Sequence, residues 1–421
     1  MTTTTTTRRA ARARVARTLS ATGLLAAAAA GCNNFLTVDN PNVIDINAID
    51  PRADAAALAG SAQQNLAVAY GWLIMYSSWL TGETLVSETF PTRNEFGTRQ
   101  VQQSNGSLST DVWAPLSLAA ASSKLVLDLD LPDPTTNINR ARVRMVRGFS
   151  FVLMAEQFCR GTVDNGPELN TAAMLDSAAA NFTEAITIGR ANGSAAAVAL
   201  ANASLVGRAR AQLQAGRKAE AAADADQVPA GFVFNLAYID DLGNRTRLSN
   251  RLWQFTFDRG SISVAPYFRV SDPRVPYLAP GQHTLVPQDP ASGPFYVQQK
   301  YPSFASPIRL ASRLEADYIK AEAGTTADRL ALIAARRAAN NQPAYTGGTD
   351  DASVSAEFFY QRGLEFYLEG KRLGDFRRAP ESVGGVPQTG AAYFKPGFPT
   401  IGDATCFPLP ITEVDNNPNL N

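Results

Sequence analysis

A mainly helical body carrying one long irregular region is what this sequence predicts, on three observations. Alanine-rich stretches with amphipathic spacing recur through the first half. Residues 201–229, ANASLVGRARAQLQAGRKAEAAADADQVP, outline two helices meeting through small side chains about a glycine turn. Ten of the 25 prolines lie between Pro229 and Pro307, and 13 aromatics lie between Phe232 and Phe304. Long helices are not expected there, because proline removes a donor and clashes with the preceding turn.

The first segment, residues 1–31, reads as a secretory signal peptide. Arg8, Arg9, Arg12, Arg14 and Arg17 form a positive region with no acidic residue before Cys32, and Leu19 to Ala30 supply an apolar run. That run is too short to span a bilayer, which needs about 20 apolar residues. The small residues Ala29, Ala30 and Gly31 directly before Cys32 resemble the site at which bacterial lipoprotein precursors are cut and acylated. Cys32 is therefore the expected lipidation site; cleavage elsewhere, leaving an ordinary thiol, is the alternative. Acyl chains contribute about 0.8 kcal/mol per buried methylene, and two or more anchor a protein durably. Residues 32–52, rich in Asn, Asp and Pro, read as the linker behind that anchor. No later apolar run reaches the roughly 18 residues of a membrane-span candidate.

The rest has a globular composition, 45% hydrophobic and 18% charged. Its 421 residues allow a large core, and length alone suggests two or three domains. Removing residues 1–31 takes five arginines and no acid, which leaves a net charge of −5 and argues against a nucleic-acid partner. Two further cysteines, Cys159 and Cys406, form an even pair that permits a disulfide in an exported protein; two separate buried thiols are the alternative.

Helices are expected at about 53–78, 111–128, 138–158, 172–191, 196–214 and 217–227. In the 201–229 unit, Ala203, Ala209, Ala221 and Ala225 allow close helix approach, and Gly216 stands where a left-handed cap ends a helix. The outline is that of a tetratricopeptide-like pair, or of an ordinary helical hairpin. Loops and short strands are expected over about 231–308, and helices resume at about 310–323, 326–340 and 353–373. On the last of these, apolar residues cover most of the circumference. Arg362, Glu365, Glu369 and Arg372 fall on the remaining stripe, which reads either as a solvated face or as a partly buried structural ionic network.

The run Arg362, Glu365, Glu369, Gly370, Arg372, Asp375, Arg377 resembles the "R..E...EG.R..D..R" signature of the SusD/RagB family of outer-membrane nutrient-uptake lipoproteins. RLEADYIKAEA (313–323), AARRAAN (334–340), VWAPLSLA (112–119), VRMVRGFSFVLMAEQFC (143–159) and the closing CFPLPITEVDNNPNL (406–420) are similar to further family segments, in order from Cys32 to Leu420. The resemblance implies a single all-α domain over 53–421, a right-handed superhelix of tetratricopeptide-like helix pairs with an irregular loop face. It also implies an outer-membrane lipoprotein facing the cell exterior. Such a protein captures a glycan, or as in RagB-like relatives a peptide, and delivers it to a SusC-like TonB-dependent β-barrel transporter. No cofactor is expected; the family's metal-bound members leave calcium open, but no Asp/Asn/Gly loop here has the ligand spacing of a calcium site.

No motif singles out the ligand-contacting aromatics. Trp79, at a helix end, and Trp253, Tyr267 and Tyr296, in the proline-rich region, are the candidates; Trp72 and Tyr76 are expected in the core, and Trp113 at a structural position. An enzyme is the rival class. His283, the one histidine, sits in a turn-like PGQHTL context and is expected at the surface, which leaves little room for a multi-histidine metal site or a Ser-His-Asp triad. Phosphate-cradling, dinucleotide and nucleophile-elbow motifs are missing. A two-carboxylate glycoside hydrolase leaves no spacing to find and stays open as a lesser reading. The third class, a lipid-anchored helical-repeat scaffold for other proteins, would have no need of the aromatic region.

Overall fold

The computed structural model describes residues 49–420. The signal peptide, Cys32 and most of the linker lie outside the described residues. The elements below lie in one compact unit that begins at Pro51.

Helix α1 (Ala55–Thr81) has Leu66, Tyr70, Leu73, Ile74, Tyr76 and Leu80 all fully buried, so it runs through the middle of the body. It stops at Gly82, whose left-handed backbone donates its N–H to the Ser78 carbonyl. After strand β1 (Thr84–Val86) and the short α2 (Pro91–Gly97), a π-helical turn over Leu108–Trp113 leads into α3 (Ala114–Leu127). Helices α4 (Ile138–Gln157), α5 (Thr171–Asn192), α6 (Ala195–Gln214) and α7 (Lys218–Asp226) then stack each on the one before, with α3 and α4 both against α1. Asn137, Asn170 and Ser194 cap α4, α5 and α6 through their side chains. Ala203, Ala209, Ala221 and Ala225 are buried at the α6–α7 pair, and Gly216 takes the left-handed conformation between the two helices.

The region expected to be irregular holds short helical turns and contributes strands to three two-stranded antiparallel pairs. Strand β2 (Val233–Leu236) pairs with β6 (Ile308–Ser312), β1 with β3 (Ile262–Val264), and β4 (Tyr277–Leu278) with β5 (Val297–Gln298). The helix expected from 310 therefore begins later, as α8 (Arg313–Ala323), because residues 308–312 are taken by pairing with β2. Ser312 closes the strand and caps α8, accepting the Glu315 N–H. Helix α9 (Thr326–Ala339) opens on a capping box of Thr325 and Asp328.

The helix expected over 353–373 is two. Helix α10 (Asp351–Glu365) and α11 (Arg372–Arg378) are separated by a turn in which Leu368 and Gly370 have positive φ. Periodicity cannot foresee this break, because what makes it stable comes from elsewhere in the chain. The carbonyls of Tyr367, Leu368 and Glu369 accept from Lys300 Nζ, the Tyr301 hydroxyl and the Tyr70 hydroxyl at 2.6, 2.9 and 2.5 Å. Gly370 is required twice over, since its φ is +68° and a Cβ would lie 2.9 Å from Ile74.

Arg362, Glu365, Glu369 and Arg372 thus do not share a stripe of one helix, and none is solvated: each is less than 9% exposed. Arg362 pairs with Asp375 at 2.8 Å, and Arg378 binds the same carboxylate at 2.9 Å. Glu365 holds Arg274 and Arg336; Glu369 holds Lys300 and Arg309. Burial pushes the Asp375 and Glu369 carboxyls up, but the cations around each more than reverse this and leave both below their ordinary range. Lys371 and Arg210 meet Glu315, and Arg210 also binds Glu156. The network so joins α4, α6, β6, α8, α9, α10 and α11.

Cys159 and Cys406 are joined in a disulfide, with their Cα atoms 5.2 Å apart. Beside it Cys159 N–H donates to the Phe407 carbonyl and Phe407 N–H to that of Gln157. Helix α12 (Ile411–Asn416) follows, and its Glu413 accepts from the Trp113 indole at 3.0 Å. Among the described residues, no helix is long and apolar enough to cross a membrane.

Two predictions follow from this packing. Replacing Cys159 and Cys406 together by serine should lower unfolding free energy by about 2–4 kcal/mol in denaturant titrations; an unchanged midpoint would refute the bond's contribution. The second concerns Glu83, which is 1% exposed and accepts the Leu368 N–H at 2.9 Å. Burial lifts its pKa from 4.5 to about 7, against the opposing pull of Arg372. A raised folded-state pKa means the native state holds a proton the unfolded chain has released, so stability from this group is full below 4.5 and is lost as pH rises through about 7. Relative to Glu83→Gln, the wild type should lose about 3 kcal/mol across that window; a pH-independent difference would sink the assignment.

Candidate ligand-binding site

The partly exposed aromatics of the loop region gather where β4 meets β5. Tyr277 stands opposite Gln298, so Tyr296 is its diagonal neighbour, a distance that rings can bridge. The two rings lie 6.0 Å apart at 58°, and the Arg269 guanidinium sits 3.7 Å over Tyr296. Arg269 is held by the Val264 carbonyl on β3, and the Tyr296 carbonyl accepts the Val264 N–H, so β3 fixes both members. Two residues before Arg269, half-buried Tyr267 packs edge-on against Tyr360 of α10 at 5.9 Å. Tyr267 also rests on the chain at Gly385, where a Cβ would come within 2.3 Å of its ring.

A polar cleft of about 470 Å³ adjoins this shelf. Asn235, Arg274, Gln299, Arg309, Glu365 and Glu369 are among the residues lining it, and the Gln299 N–H donates to the Pro276 carbonyl, which ties the cleft to the strand that carries Tyr277. Gln299 Nε2 is buried there and has no hydrogen-bond partner among the described residues. Rings beside fixed amides and charges suit a ligand with both C–H faces and hydroxyls.

The four sequence candidates are not brought together. Trp79 is no surface residue: it is 1% exposed and packed edge-on against Tyr76, because α1 continues to Thr81 and carries it into the core. Trp253 stacks on Phe257 at 5.3 Å and against Phe304 at 3.9 Å, a cluster of its own. Tyr296 lies at the shelf, and Tyr267, two residues before Arg269, packs against Phe268 and Tyr360. Trp72 is partly buried over Phe255. His283 is half-buried rather than at the surface, its Nε2 donating to the Phe295 carbonyl at 3.0 Å. Sequence reading missed Tyr277, Arg269 and Gln299. The prolines around Tyr277 signal a turn, but nothing in the sequence pairs it with a tyrosine 19 positions away.

Stacked helices here carry an aromatic loop face beside a polar cleft. The fold is that of SusD-like proteins. The chain is similar to a SusD superfamily protein from Bacteroides vulgatus, at 15% identity and TM-score 0.63, over 88% of this chain and 98% of that one. It is similar to a laminarin-binding SusD-like protein, at 15% identity and TM-score 0.65, over 87% and 97%. The surface glycan-binding protein A of Bacteroides thetaiotaomicron, in complex with laminarihexaose, is similar at 15% identity and TM-score 0.64, over 88% and 99%. No family model and no curated protein matches the sequence.

If the shelf binds ligand, Tyr277→Ala and Tyr296→Ala should each weaken oligosaccharide binding by about tenfold, or 1.4 kcal/mol, with the melting temperature nearly unchanged. Trp253→Ala should weaken it less. Calorimetric titration decides, and equal affinities for all three variants and the wild type would remove the shelf from the site.

Proposed function

We propose that this protein captures a glycan or oligosaccharide on the Tyr267–Tyr277–Tyr296 face. It delivers that ligand to a SusC-like TonB-dependent barrel while held in the outer membrane through an acylated Cys32, facing the cell exterior. The observation that carries the reading is the arginine-backed tyrosine shelf beside a polar cleft, set on the loop face of a SusD-like fold. Relatives of this fold that bind laminarin support a sugar over a peptide. The −5 charge of the cleaved chain and its apolar signal segment agree with an exported, non-nucleic-acid role.

Binding without hydrolysis is favoured by the carboxylates of the cleft. A glycosidase needs one carboxyl held protonated as general acid. Glu369 sits below its ordinary range, since Lys300 and Arg309 outweigh its burial, and Glu365 is engaged by Arg274 and Arg336. Glu369 therefore carries no proton to give near neutral pH.

The test is membrane extraction of the intact protein beside Cys32→Ala, with mass spectrometry of the N-terminus and of co-purifying proteins, and calorimetry with laminarihexaose and other oligosaccharides. An acylated Cys32, a co-purifying barrel and measurable sugar affinity are expected. An unmodified soluble protein that binds no oligosaccharide would overturn the reading.

A further inference from the structure

Both signs of charge meet at the loop face, but they are not equally exposed. In the polar cleft the carboxylates lie underneath: the Glu369 side chain is 3% exposed and that of Glu365 5%. The cations that hold Glu369 stand nearer the solvent, Lys300 at 17% and Arg309 at 23%. Arg309 spends Nε and Nη2 on Glu369 and the Glu365 carbonyl, and its Nη1 has no partner among the described residues. Lys300 Nζ gives two of its three donors to the Tyr367 carbonyl and Glu369. The surface a ligand meets in the cleft is therefore positive, although the cleaved chain carries a net −5.

Arg269, on the shelf, extends this. Its Nε donates to the Val264 carbonyl at 2.9 Å, and its guanidinium carbon lies 3.7 Å from the centre of the Tyr296 ring. The side chain is half-buried. Burial pushes its pKa down and Tyr296, Tyr277 and Tyr367 oppose this, with no carboxylate at ion-pair distance among the described residues. Arg274 and Arg309 of the same loop region each have an acid. A guanidinium held by backbone and ring, and lacking a counter-ion, is preorganised for an acceptor from outside; its Nη1–Nη2 edge is a fork that matches a carboxylate or a sulfate. Tyr367 links the two groups, since it lies close enough to Arg269 to oppose its shift and its carbonyl binds Lys300.

We propose that this face selects an anionic glycan, one whose sugar rings carry carboxylates or sulfates. The Arg269 fork takes one acidic group over the tyrosines, and Lys300 and Arg309 take a second in the cleft, while the sugar rings pack on Tyr277 and Tyr296. An acidic peptide has the charges but not the C–H faces, and uses only half of this surface. The inference rests on the glycan-capture reading and names the class of ligand within it.

Calorimetric titration of the mature full-length protein with laminarihexaose, sulfated laminarihexaose, hexagalacturonate and hexaglutamate tests it, at low and high salt. At least one acidic hexasaccharide should bind about tenfold more tightly than laminarihexaose, and the preference should shrink as salt rises. A gain with the sulfated form alone assigns sulfate, a gain with hexagalacturonate alone assigns carboxylate, and a gain with both shows that charge decides. Arg269→Gln should bring the acidic-to-neutral ratio close to one, and Arg269→Lys, which keeps the charge without the fork, should restore it in part. Arg190→Gln, which removes the same charge from the exposed side of α5, should leave the ratio at its wild-type value. No gain for either acidic hexasaccharide, or a preference that survives Arg269→Gln in full, would overturn the inference and leave capture standing. Tighter binding of hexaglutamate than of any hexasaccharide would make the ligand a peptide and overturn it as well. No binding of any oligosaccharide would overturn the capture reading and this inference with it. The wild-type comparison stands whether or not Arg269→Gln folds.

Discussion

The body depends on one buried, ion-paired turn, residues 366–371, which interrupts what would otherwise be a single C-terminal helix. Its backbone carbonyls are satisfied by Tyr70, Lys300 and Tyr301, and its flanking charges by Arg274, Arg309, Arg336 and Asp375. Buried ion pairs bring little net stability, because desolvating the charges offsets most of their attraction. Removing one partner strands the other in a dry interior, which is strongly unfavourable. The turn therefore acts by excluding alternatives: α4, α6, β6 and the C-terminal helices must come together for these buried charges to find their ion-pair partners.

The same network reaches the loop face. Arg274, Lys300 and Arg309 belong to the proline-rich region, and their acidic partners Glu365 and Glu369 belong to the end of α10 and the turn beyond it. These residues also line the polar cleft beside Tyr277 and Tyr296. A region with few backbone ladders of its own is thus held by side-chain charge to the helical core. Its strands are only two to five residues long, too short to hold a binding surface by themselves. Preorganisation of the tyrosine shelf comes from β3, through Arg269 and the Val264 amide, and from this charged underside.

Helical spans were legible because alanine-rich amphipathic spacing, caps and glycine stops are local signals; α4 through α7 begin and end within about two residues of where periodicity puts them. The C-terminal break was not legible, since Leu368 and Glu369 have nothing against helix in their own propensities and are turned by distant donors. Tyr267 and Tyr296 were found as aromatics among prolines, but aromatic density does not distinguish a shelf from a core. Trp79 was misplaced because the helix ends three residues later than expected and carries it inside.

By itself the sequence determined the helical class, the irregular region between Pro229 and Pro307, the cysteine pair that a bond can join, and the charged run that marks the family resemblance. These are properties of spacing and composition, carried by residues near one another in the chain. The tertiary structure decided which charges are buried, which tyrosines meet, and that Trp79 lies in the core. Each of those depends on contacts between residues tens to hundreds of positions apart, where the free energy of burial and of satisfied hydrogen bonds, and not local propensity, selects the conformation.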